Sequence, residues 1–352
     1  MKFLRLLFLT AFSAALAVTP YTIAQQAAPP GGQSSPNTPV DLTAVKKLID
    51  HGEPKEAMRQ LDLAAAQQPP PAGIERLRGM ALYAEGDFSE ADQALAKALQ
   101  ENSKDIESAE LRGLTLFRLG RPADAIPLLE GIHEWAPGAK VDPSYVLALC
   151  YLDTRRYDDA RRAFARQFGF APDSAPAYLL TGRMLLRHEF LPVAQEYAKK
   201  AAELDPKLPL CHQLLGEIAL ASENIDEAVA DFEKERDLNP LYGGIYDRLG
   251  DAYTRAGQYQ KALQSLQQAV LLEPNSTGPY ILLGKVMLKQ GDPVSAAMYL
   301  ERAEKMDPAN YMTHGLLGQA YRALGRSAEA SHETEMAEKL QSAGALKLES
   351  PR

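Results

Sequence analysis

The chain has 352 residues, of which 46% are hydrophobic and 24% charged, the usual proportions of a soluble folded protein. Lys and Arg number 38 against 46 Asp and Glu, and the net charge of −8 argues against broad binding to nucleic-acid phosphates, which requires clustered basic residues. A chain of this length has room for two or three ordinary domains.

The N-terminus has the pattern of an export signal. Lys2 and Arg5 precede an apolar run over 6–18, and Thr22-Ile23-Ala24 places small residues before a cleavage site. The pattern predicts a signal peptide over 1–24, with a second candidate cleavage site after Ala17. An uncleaved membrane anchor is the alternative, although the run is shorter than the roughly 20 residues that span a bilayer.

Residues 25–37 are rich in Gln, Ala, Pro, Gly and Ser and hold almost nothing to bury. This composition predicts a flexible linker. No second apolar stretch approaches spanning length, so we expect no stable membrane insertion after signal cleavage.

A ladder of nine alanines then runs along the chain, with neighbours 34 residues apart in every case but one, where the spacing is 35. Its members are Ala57, Ala91, Ala125, Ala160, Ala194, Ala228, Ala262, Ala296 and Ala330. A fixed period of this size is the signature of a solenoid built by stacking one unit. With each alanine at position 20, repeats start at 38, 72, 106, 141, 175, 209, 243, 277 and 311. The solenoid is expected over 38–344, followed by a tail over 345–352.

Other columns of this frame have physical explanations. Position 8 is Gly in seven repeats, which predicts close contact between the two helices of a repeat. Position 32 is Pro in seven repeats and is expected to end the second helix, since proline cannot donate a backbone hydrogen bond. Glycines such as Gly257 lie between the helices, where a tight turn is needed.

This pattern resembles the tetratricopeptide repeat family. The best copy holds Tyr246, then Leu249-Gly250 and Tyr253, and later Ala262 and Pro274. The resemblance covers 38–344 and implies an all-α solenoid of about nine helix-turn-helix units that form a right-handed superhelix. Some copies depart from it, with acidic residues at the aromatic position 4 of the first two repeats and Thr334 at a large apolar position of the last.

The resemblance also implies that first helices line the concave surface, with positions 5, 9 and 12 open to a partner. We call these residues the inner strip. The candidate partner-binding residues are Arg76, Met80, Tyr83, Glu110, Leu114, Phe117, Tyr145, Leu149, Leu152, Leu179, Arg183, Leu186, Glu217, Asp247 and Asp251. The strip is largely apolar in the second to fifth repeats and polar in the next two. It indicates either a groove for an extended peptide or partner helix, or core between tightly curved repeats.

No residues point to catalysis, a cofactor or a metal. The sequence lacks the common phosphate-loop, nucleophile-elbow, zinc-protease and C-x-x-C motifs. His212 and His314 stand at the aromatic position 4, where packing explains them. Cys150 and Cys211 lie two repeats apart, roughly 20 Å, which is too far for a disulfide, so two buried free thiols are expected.

The sequence therefore predicts a non-enzymatic protein-interaction scaffold, expected to be monomeric and periplasmic or secreted. Its partner would be a protein or peptide, without nucleic acid. The alternative is a structural component of a cell-envelope assembly, such as pilus, secretion or outer-membrane biogenesis machinery. Function does not follow from fold alone, so both remain open.

Overall fold

The computed structural model of the chain describes the backbone of 40–135 and 143–349 and the side chains of 40–132 and 143–343. The predicted signal peptide and linker lie outside these residues. The described helices belong to one compact unit over 41–352. No helix among the described residues is long and apolar enough to cross a membrane.

Eighteen helices make up the described part of the chain, two for each predicted repeat. They are α1 (Leu42–Asp50), α2 (Pro54–Ala65), α3 (Ile74–Glu85), α4 (Phe88–Glu101), α5 (Ile106–Arg118), α6 (Pro122–Trp135), α7 (Ser144–Asp153), α8 (Tyr157–Phe168), α9 (Ala175–Arg187), α10 (Leu191–Leu204), α11 (Cys211–Ala221), α12 (Ile225–Leu238), α13 (Gly243–Arg255), α14 (Tyr259–Leu272), α15 (Thr277–Lys289), α16 (Pro293–Met306), α17 (Tyr311–Ala323) and α18 (Ser327–Glu349).

The helices stack in chain order. Each first helix, from α1 to α17, packs against the second helix of its own repeat, and that helix packs against the next first helix. The ladder alanines are buried in this stack, as are the large residues near them, such as Phe164 and Phe232. The all-α solenoid of about nine units is confirmed.

First helices lie on the inner side of the stack. In most of the stack the first helices of adjacent repeats pack directly against each other, as α1 does with α3, α9 with α11 and α13 with α15. No two second helices of the described residues pack as closely as these. A stack whose members are closer on one side curves toward that side, which is consistent with first helices on the inner side.

The glycine column marks the close contact that the sequence predicts. A Cβ built on Gly79 or Gly250 would come closer than 3.0 Å to the buried leucine at position 24 of the same repeat, Leu95 or Leu266. Gly216 meets Phe232 in the same way. In these repeats the leucine or phenylalanine of the second helix therefore packs directly against the glycine backbone of the first helix.

The turn between paired helices has one conformation in all nine repeats. The residue at position 15 has a positive φ, from +61° to +88°, and is glycine in six repeats. In the three middle repeats, Arg155, Glu189 and Glu223 adopt it instead, each at φ 61°. The left-handed region is costly for residues with a Cβ, so these three turns are strained.

The last second helix, α18, is longer than the second helices of the other repeats. Four second helices, such as α16, end two residues before the proline at position 32. The last repeat has Ser342 at that position, and α18 continues to Glu349. Part of the predicted tail over 345–352 is therefore helical, because nothing in the sequence interrupts the backbone hydrogen bonds.

Candidate functional site

The apolar half of the inner strip is mostly half-buried. Phe117, Leu149, Leu179 and Leu186 are partly exposed and pack against the core that joins the third to sixth repeats. The remaining half-buried members of the second and third repeats are Arg76, Met80, Tyr83, Glu110 and Leu114. Half-burial is compatible both with a groove that a partner occupies and with core between repeats, because each of these side chains is partly covered and partly accessible.

Two inner-strip residues of the fourth repeat are the most exposed and the most buried of the apolar half. Tyr145 is 40% exposed, and its ring packs edge-on against Phe164 of α8, with the centroids 5.9 Å apart. Leu152 is fully buried. A partner cannot reach Leu152, so this candidate binding residue belongs to the core, because its side chain packs in the buried cluster that joins the third to sixth repeats.

The polar half of the strip brings its predicted residues together across repeats. Glu217 of α11 accepts a hydrogen bond from Gln213 Nε2 at 2.8 Å and pairs with Arg248 Nε of α13 at 3.3 Å. Asp251 pairs with Arg255 at 2.9 Å on the same helix. The acidic positions of this half are thus mostly engaged with cations of the chain itself.

Three polar side-chain atoms on successive first helices lack such an internal partner among the described residues. The side-chain atoms Arg183 Nη2, Gln213 Oε1 and Asp247 Oδ1 are buried, and none has a hydrogen-bond partner among the described residues. They come from α9, α11 and α13. Buried polar groups without partners cost roughly 1–3 kcal/mol each, so their occurrence on one face requires an explanation. We call Arg183, Gln213, Glu217, Tyr242, Asp247 and Arg248 the polar cluster.

Asp247 has the most perturbed carboxyl of the polar cluster. Burial disfavours its charged form and raises its pKa to about 6, while Arg248 lowers the pKa and Asp251 and Glu273 raise it. A Cβ on Gly278 of α15 would lie 3.4 Å from both carboxylate oxygens, so the next repeat closes over this side chain. Asp247 is therefore a carboxyl group that gains from the approach of a hydrogen-bond donor or cation.

Tyr242 and Arg248 belong to the polar cluster but not to the predicted strip. Burial raises the pKa of Tyr242. The negative charges of Glu273 and Glu217 raise this pKa further, whereas the positive charges of Arg183 and Arg248 lower it. Tyr242 is the last residue before α13 and is 37% exposed. An aromatic residue in an exposed turn is the only sequence signal for it, and positions 5, 9 and 12 do not include it.

The outer face has a separate groove between α8 and α10. Its volume is about 870 Å³, and it is lined by charges of both signs, including Arg155, Asp158, Glu196 and Lys199. Arg161 beside it is buried, and its Nη1 bonds Asp173 at 2.6 Å. The outer groove thus combines internal ion pairs with open charges and lies away from the inner strip.

The two cysteines are free and buried, as the sequence predicts. Burial raises the pKa of Cys150 and of Cys211 to about 12. Since only the thiolate attacks and binds metals, neither thiol is a nucleophile at neutral pH in the folded protein.

Sequence models of one family match the chain. A tetratricopeptide repeat model matches 116–183 and 287–340, a TPR repeat model matches 250–291, and a second tetratricopeptide repeat model matches 76–139. Together they span 76–183 and 250–340, more than half of the 352 residues. No curated protein sequence matches the chain significantly.

Solved structures with a similar fold include MamA from Desulfovibrio magneticus RS-1, with 22% identity, a TM-score of 0.44 and coverage of 49% of this chain and 97% of that chain. YrrB, described as a TPR protein with an unusual peptide-binding site, has 22% identity, a TM-score of 0.43 and coverage of 54% and 97%. The Cut9–Hcn1 complex has 17% identity, a TM-score of 0.44 and coverage of 79% and 55%. With TM-scores below 0.5, nothing about this chain's partner follows from these likenesses.

Proposed function

Because the chain belongs to the tetratricopeptide-repeat family, we propose that it is a non-enzymatic scaffold that binds a peptide or protein partner along its inner face. The inner strip supplies the surface, and the polar cluster supplies the recognition centre. The partner would lie across several first helices, so its affinity would come from many small contacts and its specificity from a few polar ones.

The observation that carries this proposal is the set of three buried polar atoms of the polar cluster that have no hydrogen-bond partner in the described part of the chain. A bound peptide presents the complementary groups at regular spacing. Its backbone or side-chain oxygens would accept from Arg183 Nη2, and its N–H or cationic groups would donate to Gln213 Oε1 and Asp247 Oδ1. Each contact would remove a desolvation cost that the unbound protein carries.

The apolar half of the strip would contribute the rest of the surface. Tyr145, Leu149 and Leu179 lie on neighbouring first helices and are partly exposed beside the polar cluster. Apolar side chains of the partner would bury against them, and the flanking polar contacts would fix direction and register. The expected partner is therefore a segment with an apolar portion followed by a donor-rich, basic portion.

The proposal is tested with a peptide display library selected on the chain from residue 25 onward. Selected peptides are measured against Arg183→Gln and Asp247→Asn by isothermal titration. Loss of one charge-assisted hydrogen bond weakens binding by about tenfold or more. The matched controls are Arg166→Gln on α8 and Asp226→Asn on α12, which change the same charges at exposed outer positions.

The expected pattern is a roughly tenfold or greater loss for both polar-cluster variants and less than twofold change for the outer controls. Enrichment of basic peptides would identify the side chains that Asp247 recognises. Equal affinity of all four variants for the peptides would show that the polar cluster is not the binding site. Loss confined to the outer controls would move the binding surface to the outer face.

We also propose that the protein is exported and acts in the periplasm or outside the cell. The support is the sequence pattern of residues 1–24. N-terminal sequencing of the protein from fractionated cells tests it. A chain that starts after Ala24 in the periplasmic or secreted fraction is expected, whereas a chain that starts at Met1 in the cytoplasmic fraction would contradict export.

A further inference from the structure

We propose that the last repeat pair holds a divalent transition-metal site formed by Glu304, His314 and Glu333. Glu304 is on α16, His314 on α17 and Glu333 on α18, so the site joins three consecutive helices. One potential ligand atom of each residue lies within 4.8 Å of those of the others. His314 and Glu333 are buried, at 4% and 8% exposure, and Glu304 is half-buried.

The histidine ring is held in the orientation that metal binding needs. His314 Nε2 lies 3.0 Å from the carbonyl oxygen of Pro308, the residue six positions earlier. Tyr246 and Tyr280 occupy the same repeat position, and their hydroxyls donate to the equivalent carbonyls of Pro240 and Pro274. His314 thus replaces a structural tyrosine and retains its hydrogen bond. Because Nε2 carries the proton for that bond, Nδ1 is the nitrogen available as a ligand.

The Nδ1 atom faces the carboxylate of Glu333, with His314 Nδ1 and Glu333 Oε2 2.6 Å apart. Without a metal, a proton between these two atoms accounts for their short separation. Zn²⁺ holds nitrogen and oxygen ligands at about 2.0–2.2 Å in tetrahedral geometry, so two ligand atoms of one ion are roughly 3.3–3.6 Å apart. Metal binding therefore requires the two Glu side chains to rotate, with the Glu333 carboxylate moving away from Nδ1 to make room for the ion. The ion displaces the proton, which is released to solvent.

A second histidine pair in the same chain serves as an internal comparison. His212 and Asp231 have the same repeat positions, and His212 Nδ1 lies 3.2 Å from Asp231 Oδ1. There the residue equivalent to Glu304 is Ala202, and Lys234 places its ammonium 3.0 Å from the same carboxylate oxygen. In the last repeat, Met336 stands in place of that lysine. The earlier pair is thus neutralised by the chain's own cation, whereas the later pair gains a second carboxylate and loses the cation.

The ligand set favours ions that accept both imidazole and carboxylate, such as Zn²⁺ or Co²⁺, over Mg²⁺ and Ca²⁺, which prefer oxygen alone. Three protein ligands leave at least one position for water. The ion would tie α16 to the terminal helix pair. We therefore assign it the role of a clamp at the open end of the solenoid, where α18 has no following repeat to pack against in the described residues.

The test uses the chain from residue 25 onward, stripped with EDTA and titrated with ZnCl₂ by calorimetry at pH 7.5. Thermal melting with and without ZnCl₂ gives a second readout, and the visible spectrum with CoCl₂ gives a third. The variants are Glu304→Ala, which copies Ala202, and His314→Tyr, which copies Tyr280 and retains the bond to Pro308. His212→Tyr is the matched control at the equivalent position of the sixth repeat.

One Zn²⁺ per chain at micromolar affinity is expected, with a rise in melting temperature on addition. Binding is expected to weaken about tenfold in Glu304→Ala and to disappear in His314→Tyr, while His212→Tyr behaves as the native protein. Absence of binding to the native chain would overturn the proposal and leave His314–Glu333 as an ion pair. Unchanged binding in His314→Tyr, or loss in His212→Tyr, would place any bound ion elsewhere. Peptide binding at the polar cluster is a separate measurement and does not depend on these outcomes.

Discussion

At Asp247 the burial of a carboxyl group opposes its ionisation. Its carboxyl is largely enclosed, and its pKa is raised to about 6 from an ordinary value of 3.8, with burial as the main cause. The folded state therefore retains a proton between about pH 4 and pH 6 that the unfolded chain has lost. Stability attributable to this group is full below about pH 4 and falls as the pH rises through 6.

We predict that Asp247→Asn stabilises the protein at pH 7 by roughly 1–2 kcal/mol and has little effect at pH 4, because the amide stays neutral. Urea unfolding at pH 4, 5, 6 and 7 measures the difference between the two proteins. Asp251→Asn serves as a control, since Asp251 is paired with Arg255. A gain that is the same at every pH would show that desolvation of the charge is not the cause.

The turn residue at position 15 is a second local feature with a measurable cost. Glu189 and Glu223 adopt φ 61°, a conformation that glycine adopts in six other repeats. We predict that Glu189→Gly stabilises the protein by about 0.5–1 kcal/mol, since relief of the left-handed strain exceeds the added chain entropy of glycine. Urea unfolding measures the gain.

The reverse change at a sister turn is the control. Gly257 has φ +71° with no atom within 4 Å of a Cβ built on it. Gly257→Ala is therefore expected to destabilise the protein by about 1 kcal/mol through backbone strain alone. If Glu189→Gly also destabilised the protein, contacts of the Glu189 side chain would contribute more to stability than the strain of its backbone costs.

At the scale of helices, a tyrosine at position 11 ties several repeats to the preceding one. Tyr253 donates to Glu233 Oε1 at 2.6 Å and Tyr321 to Glu301 Oε1 at 3.1 Å, and Tyr151 bonds Glu130 in the same way. A cation covers each ring, such as Arg326 over Tyr321 at 4.2 Å. These bonds set the relative position of adjacent repeats and so contribute to the curvature of the inner face.

We predict that Tyr253→Phe destabilises the protein by about 1–2 kcal/mol, because Glu233 loses a charged hydrogen bond while the ring remains. Thermal and urea unfolding measure the loss. Tyr259→Phe removes a hydroxyl from α14 that takes no part in this bond, and a change below about 0.5 kcal/mol is expected there. Equal losses in both variants would indicate a general effect of the hydroxyl rather than the tie between repeats.

Helix pairing could be predicted from the sequence, whereas several side-chain environments could not. The contact of Gly250 with Leu266 follows from two columns of one repeat, so the frame alone predicts it. The burial of Leu152 depends on the angle between neighbouring repeats, which no column encodes. The pair of His314 with Glu333 depends on the register between α17 and α18, so the sequence alone indicates only a packing role for position 4.

The polar cluster was predicted in part for the same reason. Asp247 and Glu217 appear in the inner strip by position. The engagement of Glu217 by Arg248, and the enclosure of Asp247 by Gly278, depend on distances between repeats. The residues that could be named from the sequence were thus those with a fixed place in the repeat, while their state depends on the assembled solenoid.

At the scale of the whole molecule, the core is divided along the stack. One buried cluster extends from Ala109 to Ile218, another from Ala219 to Val286, and a third joins α16 to the two helices of the last repeat. Each repeat contacts only its neighbours, so stability is expected to act locally along the array. The boundary near α11 coincides with the polar cluster.

We predict that Leu249→Ala, which removes a fully buried side chain from the second of these clusters, raises hydrogen exchange most in α13 and α14. The effect should decrease over the adjacent repeats and be small in α3 and α4, because local opening spreads only through shared interfaces. Hydrogen exchange with mass spectrometry measures this gradient. A uniform rise along the chain would mean that the solenoid opens as a single unit.

The two buried thiols allow the rate of local opening to be measured in two repeats of the solenoid. Cys150 lies in the fourth repeat and Cys211 in the sixth, and each is enclosed and held as the unreactive thiol. A thiol reagent can therefore modify either one only while its own repeat is open. The two modification rates report how often the fourth and the sixth repeats open locally. Their ratio shows whether these repeats open together or independently.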